Sequence, residues 1–305
     1  MKPTLLLAGI LTLVLTAEVS AASSVKLVKK PTAIKAALAE RPLFEYQFAP
    51  TVAFKPYVFQ LYSPSGIAVL RDAPKDHIHH HGLMLGIGVN GVSFWEEVLK
   101  GRNTGGRQLP LQTEANGDCI TQQLDWQSTN SVVLLHETRT ITAHTNQDVT
   151  LLTWRSRLET PPATNVVTLT GYGHAYYGLG MRFLECMDTN AVFQNSSGQL
   201  GENVRGDLHL MPATWVACTG PVGEKFVTIA IFDHPNNLRY PAKKFTMAKP
   251  FAYIATTLNL WKEPFQLQSG TPLDLCYGVA VWDGKIDAPQ IEKACQQWQK
   301  LASQH

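Results

Sequence analysis

The chain has 305 residues, 45% of them hydrophobic, which is enough for a sizeable core. Its 26 basic and 24 acidic side chains leave a formal net charge of +2. That balance excludes the electrostatic footprint needed to hold nucleic acid or an anionic membrane surface.

The N-terminus opens with Met1, Lys2 and Pro3, then an apolar run from Leu5 to Leu15, then Val19, Ser20 and Ala21. A short positive end, an apolar core and small residues at a cleavage point predict a signal peptide over residues 1–21, with export to the periplasm or the exterior. The alternative is an uncleaved anchor, but the run is shorter than the roughly 20 residues a membrane helix needs. No later stretch reads as a membrane span. The five cysteines, Cys119, Cys186, Cys218, Cys276 and Cys295, are too widely spaced for a zinc knuckle. In an oxidising compartment one or two disulfides compete with buried free thiols.

Residues 22–41 read as a polar leader followed by a short helix over Ala33 to Arg41, and residues 42–305 as a single domain. From Tyr57 onward the pattern is one of strands. Tyr57-Val58-Phe59-Gln60-Leu61-Tyr62 is β-branched and aromatic, and Pro64-Ser65-Gly66 is a turn. Asn90-Gly91 between apolar runs predicts a hairpin, since both turn positions favour positive φ. The Gly-rich, polar stretch Gly101–Gly117 reads as a loop or lid. Further strand-like runs lie at 132–140, 149–158, 166–169, 226–232 and 275–282. Short strands punctuated by Gly, Asn and Pro, without alternating βα units, predict a mainly β protein built as a large antiparallel β-sandwich. Asp287 and Gln290 form a capping-box pair for a C-terminal helix over 289–302, with Ile291, Cys295, Trp298 and Leu301 or Ala302 as its apolar stripe.

Three segments carry chemistry. In Asp76-His77-Ile78-His79-His80-His81-Gly82, four of the ten histidines fall within five positions. On a strand, His77, His79 and His81 would share a face and His80 would oppose them. Those three are candidate ligands for a divalent metal, copper included, although the cupin-like glutamate a few residues on is missing and the next is Glu96. The same imidazoles suit acid/base work, because histidine titrates near neutrality. A turn held by backbone hydrogen bonds is the third reading. The second segment, Gly171-Tyr172-Gly173-His174-Ala175-Tyr176-Tyr177-Gly178-Leu179-Gly180-Met181-Arg182, combines close-approach glycines with flat aromatic faces suited to a sugar ring, the alternative being a Gly-rich strand corner. The third, Asp233-His234-Pro235-Asn236-Asn237, is a polar turn after a strand. The expectation is that His79, His80, His81, His174 and His234 converge on one pocket.

Together with Lys55-Pro56-Tyr57, Arg71-Asp72, Asn90-Gly91-Val92-Ser93-Phe94-Trp95 and Asp283-Gly284, these segments resemble the soluble PmoA-like family, named after a methane oxygenase subunit. The resemblance spans residues 50 to 285. It implies a supersandwich fold similar to galactose-mutarotase-like proteins and, by that analogy, a small-molecule or oligosaccharide ligand. The sequence departs from the family pattern at Ala217, where an acid is expected, and at Gln60 and Met84. The favoured function is acid/base chemistry on a sugar, of lyase, hydrolase or epimerase type. His80 and His81 are the candidate acid or base, with His174 and His234 as partners. Arg71, Trp95, Tyr172, Tyr176, Arg182 and Asn236 are candidate substrate-binding residues. The rivals are a non-catalytic sugar-binding protein using Tyr172, Tyr176 and Trp95, and a histidine-site metal protein.

Overall fold

A computed structural model describes residues 24–99, 102–103 and 105–303; the proposed signal peptide lies outside the described residues. The strand Val133–His144 shows how the fold is dictated. Its side chains alternate between half-buried and buried, with Leu135, Glu137, Arg139, Ile141 and Ala143 all inward. A period of two on one buried face is what an antiparallel sheet packed on another layer requires.

Two antiparallel sheets form the sandwich. The ten-stranded sheet runs, edge to edge, through Val25–Lys29, Ala33–Leu38, Arg41–Gln47, Tyr57–Leu61, Leu83–Gly86, Gly178–Arg182, Tyr253–Thr257, Lys243–Met247, Leu208–Pro212 and Glu202–Arg205. The eight-stranded sheet runs through Arg107–Asn116, Cys119–Gln127, Val133–His144, Thr150–Glu159, Leu273–Asp283, Lys225–Asp233, Trp215–Val222 and Val192–Asn195. A smaller four-stranded sheet contains Gly88–Val89 and Val92–Ser93, joined by Asn90 and Gly91 at φ 47° and 78°. Both turn residues thus take the left-handed region that the Asn-Gly signal demands.

Strand parity sorts the apolar residues into three layers. Leu179, Met181 and Ile254 of the first sheet meet Ile231, Val279 and Val281 of the second between the sheets. Tyr253, Ala255 and Phe245 point to the outer face of the first sheet. Phe232, Ala280 and Trp282 point to the outer face of the second, where helix Ala288–Ala302 covers them with Ile291, Cys295, Trp298 and Ala302. The predicted capping box is present: Gln290 N donates to Asp287 Oδ1 at 2.9 Å and Asp287 N to Gln290 Oε1 at 3.4 Å.

Two expectations fail. Residues 25–29 and 33–38 are strands, not a leader and helix; Ile34, Ala36 and Leu38 are buried at a period of two. The alanines of this segment suit a helix locally, but pairing with Phe44 and Tyr46 overrides that preference. The expected lid is largely the strand Arg107–Asn116, at the edge of the second sheet. Its Pro110 sits beside a register shift, as proline on an edge strand commonly does. All five cysteines are free thiols, and Cys218, Cys276 and Cys295 are buried.

Candidate functional site

The histidine segment is not a strand but a double turn. Ala73 N donates to His80 O at 2.8 Å, and His77 N to Pro74 O and His80 N to His77 O at 2.9 Å each. A turn has no alternation, so the expected common face of His77, His79 and His81 does not form. His81 is turned inward. Its Nδ1 lies 2.7 Å from Asp72 Oδ1 and its Nε2 3.2 Å from Glu97 Oε2. Glu97 Oε1 accepts from Lys55 Nζ at 2.7 Å and from Phe54 N at 3.0 Å, and Tyr57 OH donates to Asp72 Oδ2 at 3.2 Å. Burial works against charge on His81, but its bonds to Asp72 and Glu97 outweigh that and raise its pKa. Burial likewise pushes Glu97 up, and Lys55 and His81 outweigh it and hold its carboxyl down to about 2. This clamp fixes the turn and leaves His81 no free nitrogen. Among the described residues no group of three or more His, Cys, Asp or Glu side chains is disposed to hold a metal ion. The donor set His77, His79 and His81 therefore does not converge.

His79 and His80 project the other way. Their rings meet edge to face at 4.7 Å, and His80 stacks on His77 at 4.7 Å and on Tyr253 at 5.6 Å. His79 Nε2 lies 3.6 Å from Glu96 Oε2, and His174 Nε2 lies 4.0 Å from Glu96 Oε1. Glu96 thus stands between two imidazoles that are 95 residues apart in sequence (174 less 79). Burial raises the Glu96 carboxyl above the ordinary carboxylate range. Burial, then Lys55, lowers His79 to about 4; burial, then Arg205, lowers His174. The acid has moved up and the bases down, so a proton passes between them at lower cost than between the same groups in water.

Glu96 lies fifteen positions beyond His81 (96 less 81), too far for any local spacing pattern to join them. The Asn90-Gly91 hairpin was the available signal. It folds the chain back so that Trp95 Cα would stand 3.1 Å from a Cβ placed on Gly86, three residues after Leu83 opens the strand behind the histidines.

Beside this acid–imidazole group lies a cavity of about 270 Å³ on the outer face of the ten-stranded sheet. His77, His80, Tyr176, Arg205, Phe251 and Tyr253 line it together with Leu208, Phe245, Met247 and Pro250. Two wall groups, His80 Nδ1 and the Tyr253 hydroxyl, are buried without a hydrogen-bond partner in the protein. Leaving such a group unpaired costs about 1–3 kcal/mol, which a hydroxylated ligand would recover. Tyr253 can lie flat here because of a glycine: a Cβ at Gly180 would sit 1.8 Å from its hydroxyl oxygen. The close approach at this glycine is thus made by a tyrosine side chain rather than by a ligand or another backbone.

The remaining candidates divide. Tyr176 lines the cavity and its ring lies 5.1 Å from that of His174. Trp95 is fully buried and stacked on Tyr177 at 5.2 Å, so it offers no face to a sugar. Tyr172 is exposed at φ 50° and does not line the cavity. Arg182 is buried, bonded to Asp76 Oδ2 at 3.1 Å and lying 3.4 Å from the centre of the Phe251 ring. Arg71 pairs with Glu185 at 3.2 Å and Asp188 at 3.3 Å in an adjoining cleft. His234 and Asn236 are placed apart. His234 meets Trp298 edge to face at 6.0 Å and Ser303 Oγ at 3.2 Å, under the helix on the outer face of the second sheet. The whole sandwich separates that face from the cavity, so the expected five-histidine convergence does not occur. Asp233 is structural, bonded to Lys244 Nζ at 3.0 Å and Asn237 Nδ2 at 2.7 Å. Ala217, where the resemblance led us to expect an acid, packs under the same helix. Asp283 holds the Ser63–Gly66 turn through Ser63 Oγ at 2.5 Å.

The histidine turn also sets a pH dependence of stability. His79 titrates near 4 when folded and near 6.5 when unfolded, so the unfolded chain binds the extra proton as pH falls between them. Stability is therefore lost on acidification from about 6.5 to 4, by roughly 3 kcal/mol for this group. Thermal melts of wild type and His79→Asn between pH 7 and 4 should show the variant losing less stability; equal losses would contradict this.

No curated protein sequence matches the chain. In structure it is similar to a galactose mutarotase-like protein from Lactobacillus casei, with 8% identity, TM-score 0.44, and 84% of this chain and 99% of that chain covered. A galactose mutarotase related enzyme from Lactobacillus acidophilus aligns at 8% identity and TM-score 0.41, covering 87% and 98%. The galactosidase domain of an alpha-galactosidase–sucrose kinase aligns at 11% identity and TM-score 0.43, covering 85% of this chain; this chain spans 42% of that one. At such scores the chemistry has to be argued from the side chains of this site alone. The comparisons give no support to the PmoA-like name. The family model that matches covers residues 33–296 and is described as a family of unknown function, so the chain belongs to that family, DUF6807.

Proposed function

We propose that this protein is a carbohydrate-active enzyme that moves protons on a small sugar, of the epimerase or anomerase type. The observation that carries the reading is Glu96 facing His79 and His174 beside a cavity with unpartnered polar walls. Opening a cyclic sugar needs one base and one acid. An imidazole takes the proton of the anomeric hydroxyl, the Glu96 carboxylic acid gives one to the ring oxygen, and the carbon–ring-oxygen bond breaks to leave the open aldehyde. Reclosure on the other face returns both protons. No nucleophile is required. His80 and Tyr253 hydrogen-bond the hydroxyls, and the Tyr176 and Phe251 rings meet the C–H faces.

Glycoside hydrolysis fits less well. It ordinarily uses two carboxyl groups across the scissile bond. Glu97, the second carboxylate nearby, is held by Lys55, His81 and the Phe54 amide. A purely sugar-binding role is disfavoured by the burial of Trp95. The test is magnetisation exchange between the two anomers of D-galactose and of D-glucose, measured by NMR with catalytic amounts of protein. Faster exchange supports the reading, and an unchanged rate across a panel of aldoses and uronates would end it.

We also propose export, on the strength of residues 1–21. N-terminal sequencing of the secreted or periplasmic form should begin at Ala22; a retained Met1 in the membrane fraction would refute cleavage.

A further inference from the structure

We infer that the sugar taken by this cavity is a sugar acid, a uronate whose carboxylate is held by Arg205. The inference rests on the sugar reading above and narrows its substrate class.

The cavity lining contains no Asp or Glu. Its charged or titratable groups are the imidazoles of His77 and His80, two tyrosines and the guanidinium of Arg205. A neutral hexose gives an arginine at this place nothing to neutralise. Arg205 ends the edge strand Glu202–Arg205, and the acid of that strand is already used: Glu202 pairs with Lys262 at 2.7 Å and with Lys243 at 3.7 Å. Among the described residues no ion pair engages Arg205, and its charge is felt instead by His174 and Tyr176. An exposed guanidinium beside an aromatic wall is a ready carboxylate grip, since its N–H groups match the two oxygens.

The placement agrees with the chemistry. In a pyranuronate the carboxylate hangs from the ring carbon on the far side of the ring oxygen from the anomeric carbon. The group that holds the carboxylate and the group that protonates the ring oxygen must therefore be neighbours. Arg205 and Tyr176 line the same cavity, the Tyr176 ring lies 5.1 Å from that of His174, and His174 faces Glu96 at 4.0 Å.

A monoanion fits better than a phosphate ester. The other nearby guanidinium, Arg182, lies behind the Phe251 ring at 3.4 Å and is shared between Asp76 at 3.1 Å and Asp188 at 3.9 Å. One uncommitted cation balances one carboxylate, whereas a dianion would bring uncompensated charge against apolar walls.

The experiment is calorimetric titration of the mature chain with D-galacturonate and D-glucuronate, with D-galactose and D-glucose, and with galactose 1-phosphate. A uronate should bind at least ten times more tightly than its neutral sugar, and salt should erode the difference. Arg205→Gln should bring the uronate affinity down to that of the neutral sugar, and Arg205→Lys should recover part of it. Equal affinities for uronate and neutral sugar in the wild-type protein would overturn the uronate assignment and leave the sugar reading standing. Preference for the sugar phosphate would overturn the carboxylate in favour of phosphate. Failure of all five sugars to bind would overturn both readings.

Discussion

Glu96→Gln is expected to reduce the anomer-exchange rate by about 10²–10⁴-fold, the usual worth of one positioned acid or base. The amide keeps the shape and one acceptor oxygen, so the circular dichroism spectrum should be unchanged and sugar affinity should stay within a few fold. The cause is specific: Glu96 is the carboxyl that faces the imidazoles of His79 and His174. The wild-type rate should also depend on pH in a bell shape. The His174 base is lost as pH falls through its lowered pKa, and the Glu96 acid is lost as pH rises through its raised one. Glu96 is raised and His174 lowered from their ordinary values, so the two limbs of the bell are drawn toward each other. A rate for Glu96→Gln within threefold of wild type, or a rate still climbing above pH 8, would remove Glu96 from the chemistry.

Arg139→Ala should be the most destabilising single substitution in the sandwich core. Arg139 and Glu137 are both fully buried on one strand, inside the apolar layer between the sheets. The guanidinium donates to Glu137 Oε1 and Oε2 at 2.8 Å each, to Gln108 Oε1 at 2.9 Å, to Pro56 O at 3.0 Å and to Tyr46 OH at 3.2 Å, and it lies 4.6 Å from the centre of the Trp154 ring. Glu137 also accepts from Trp126 Nε1 at 2.8 Å and Ser156 Oγ at 2.5 Å. Removing the cation leaves a buried carboxylate without its partner, which costs about 3–5 kcal/mol. For a chain of this size that corresponds to a fall in Tm on the order of 10 °C. The double variant Arg139→Met with Glu137→Leu should recover much of the loss, because apolar replacement of both partners removes the uncompensated charge. A drop of under 3 °C for Arg139→Ala would show that solvent reaches the pair. This network lies between the sheets and the cavity lies outside them. Within the folded protein at low temperature, Arg139→Ala should therefore leave sugar exchange far less affected than Glu96→Gln does.

The sequence by itself determined the architecture wherever local chemistry and burial agree. The Asn90-Gly91 turn needs positive φ at both positions, and Asp287 with Gln290 caps a helix whose stripe has only one face to bury. Each of those signals is read within a few residues. Strand periodicity then made an antiparallel sandwich the only consistent way to bury the apolar faces. The helix expected over Ala33 to Arg41 failed because the preference of alanine for helix is weak beside pairing with Phe44 and Tyr46. The site was legible only in part. His79, His80, His174 and Tyr176 stand out in the sequence by residue type, as imidazoles and an aromatic near glycines. What they do was decided by tertiary structure. A turn rather than a strand parted His77, His79 and His81, and His234, just past the strand Lys225–Asp233, lies against the helix on the opposite face of the sandwich. The hairpin carried Glu96 back to His79 and His174, a meeting of residues 79, 96 and 174 that no local pattern encodes. Burial by elements from across the chain then shifts the pKa of all three, and desolvation is a property of the packed fold, to which a residue's neighbours in sequence contribute little.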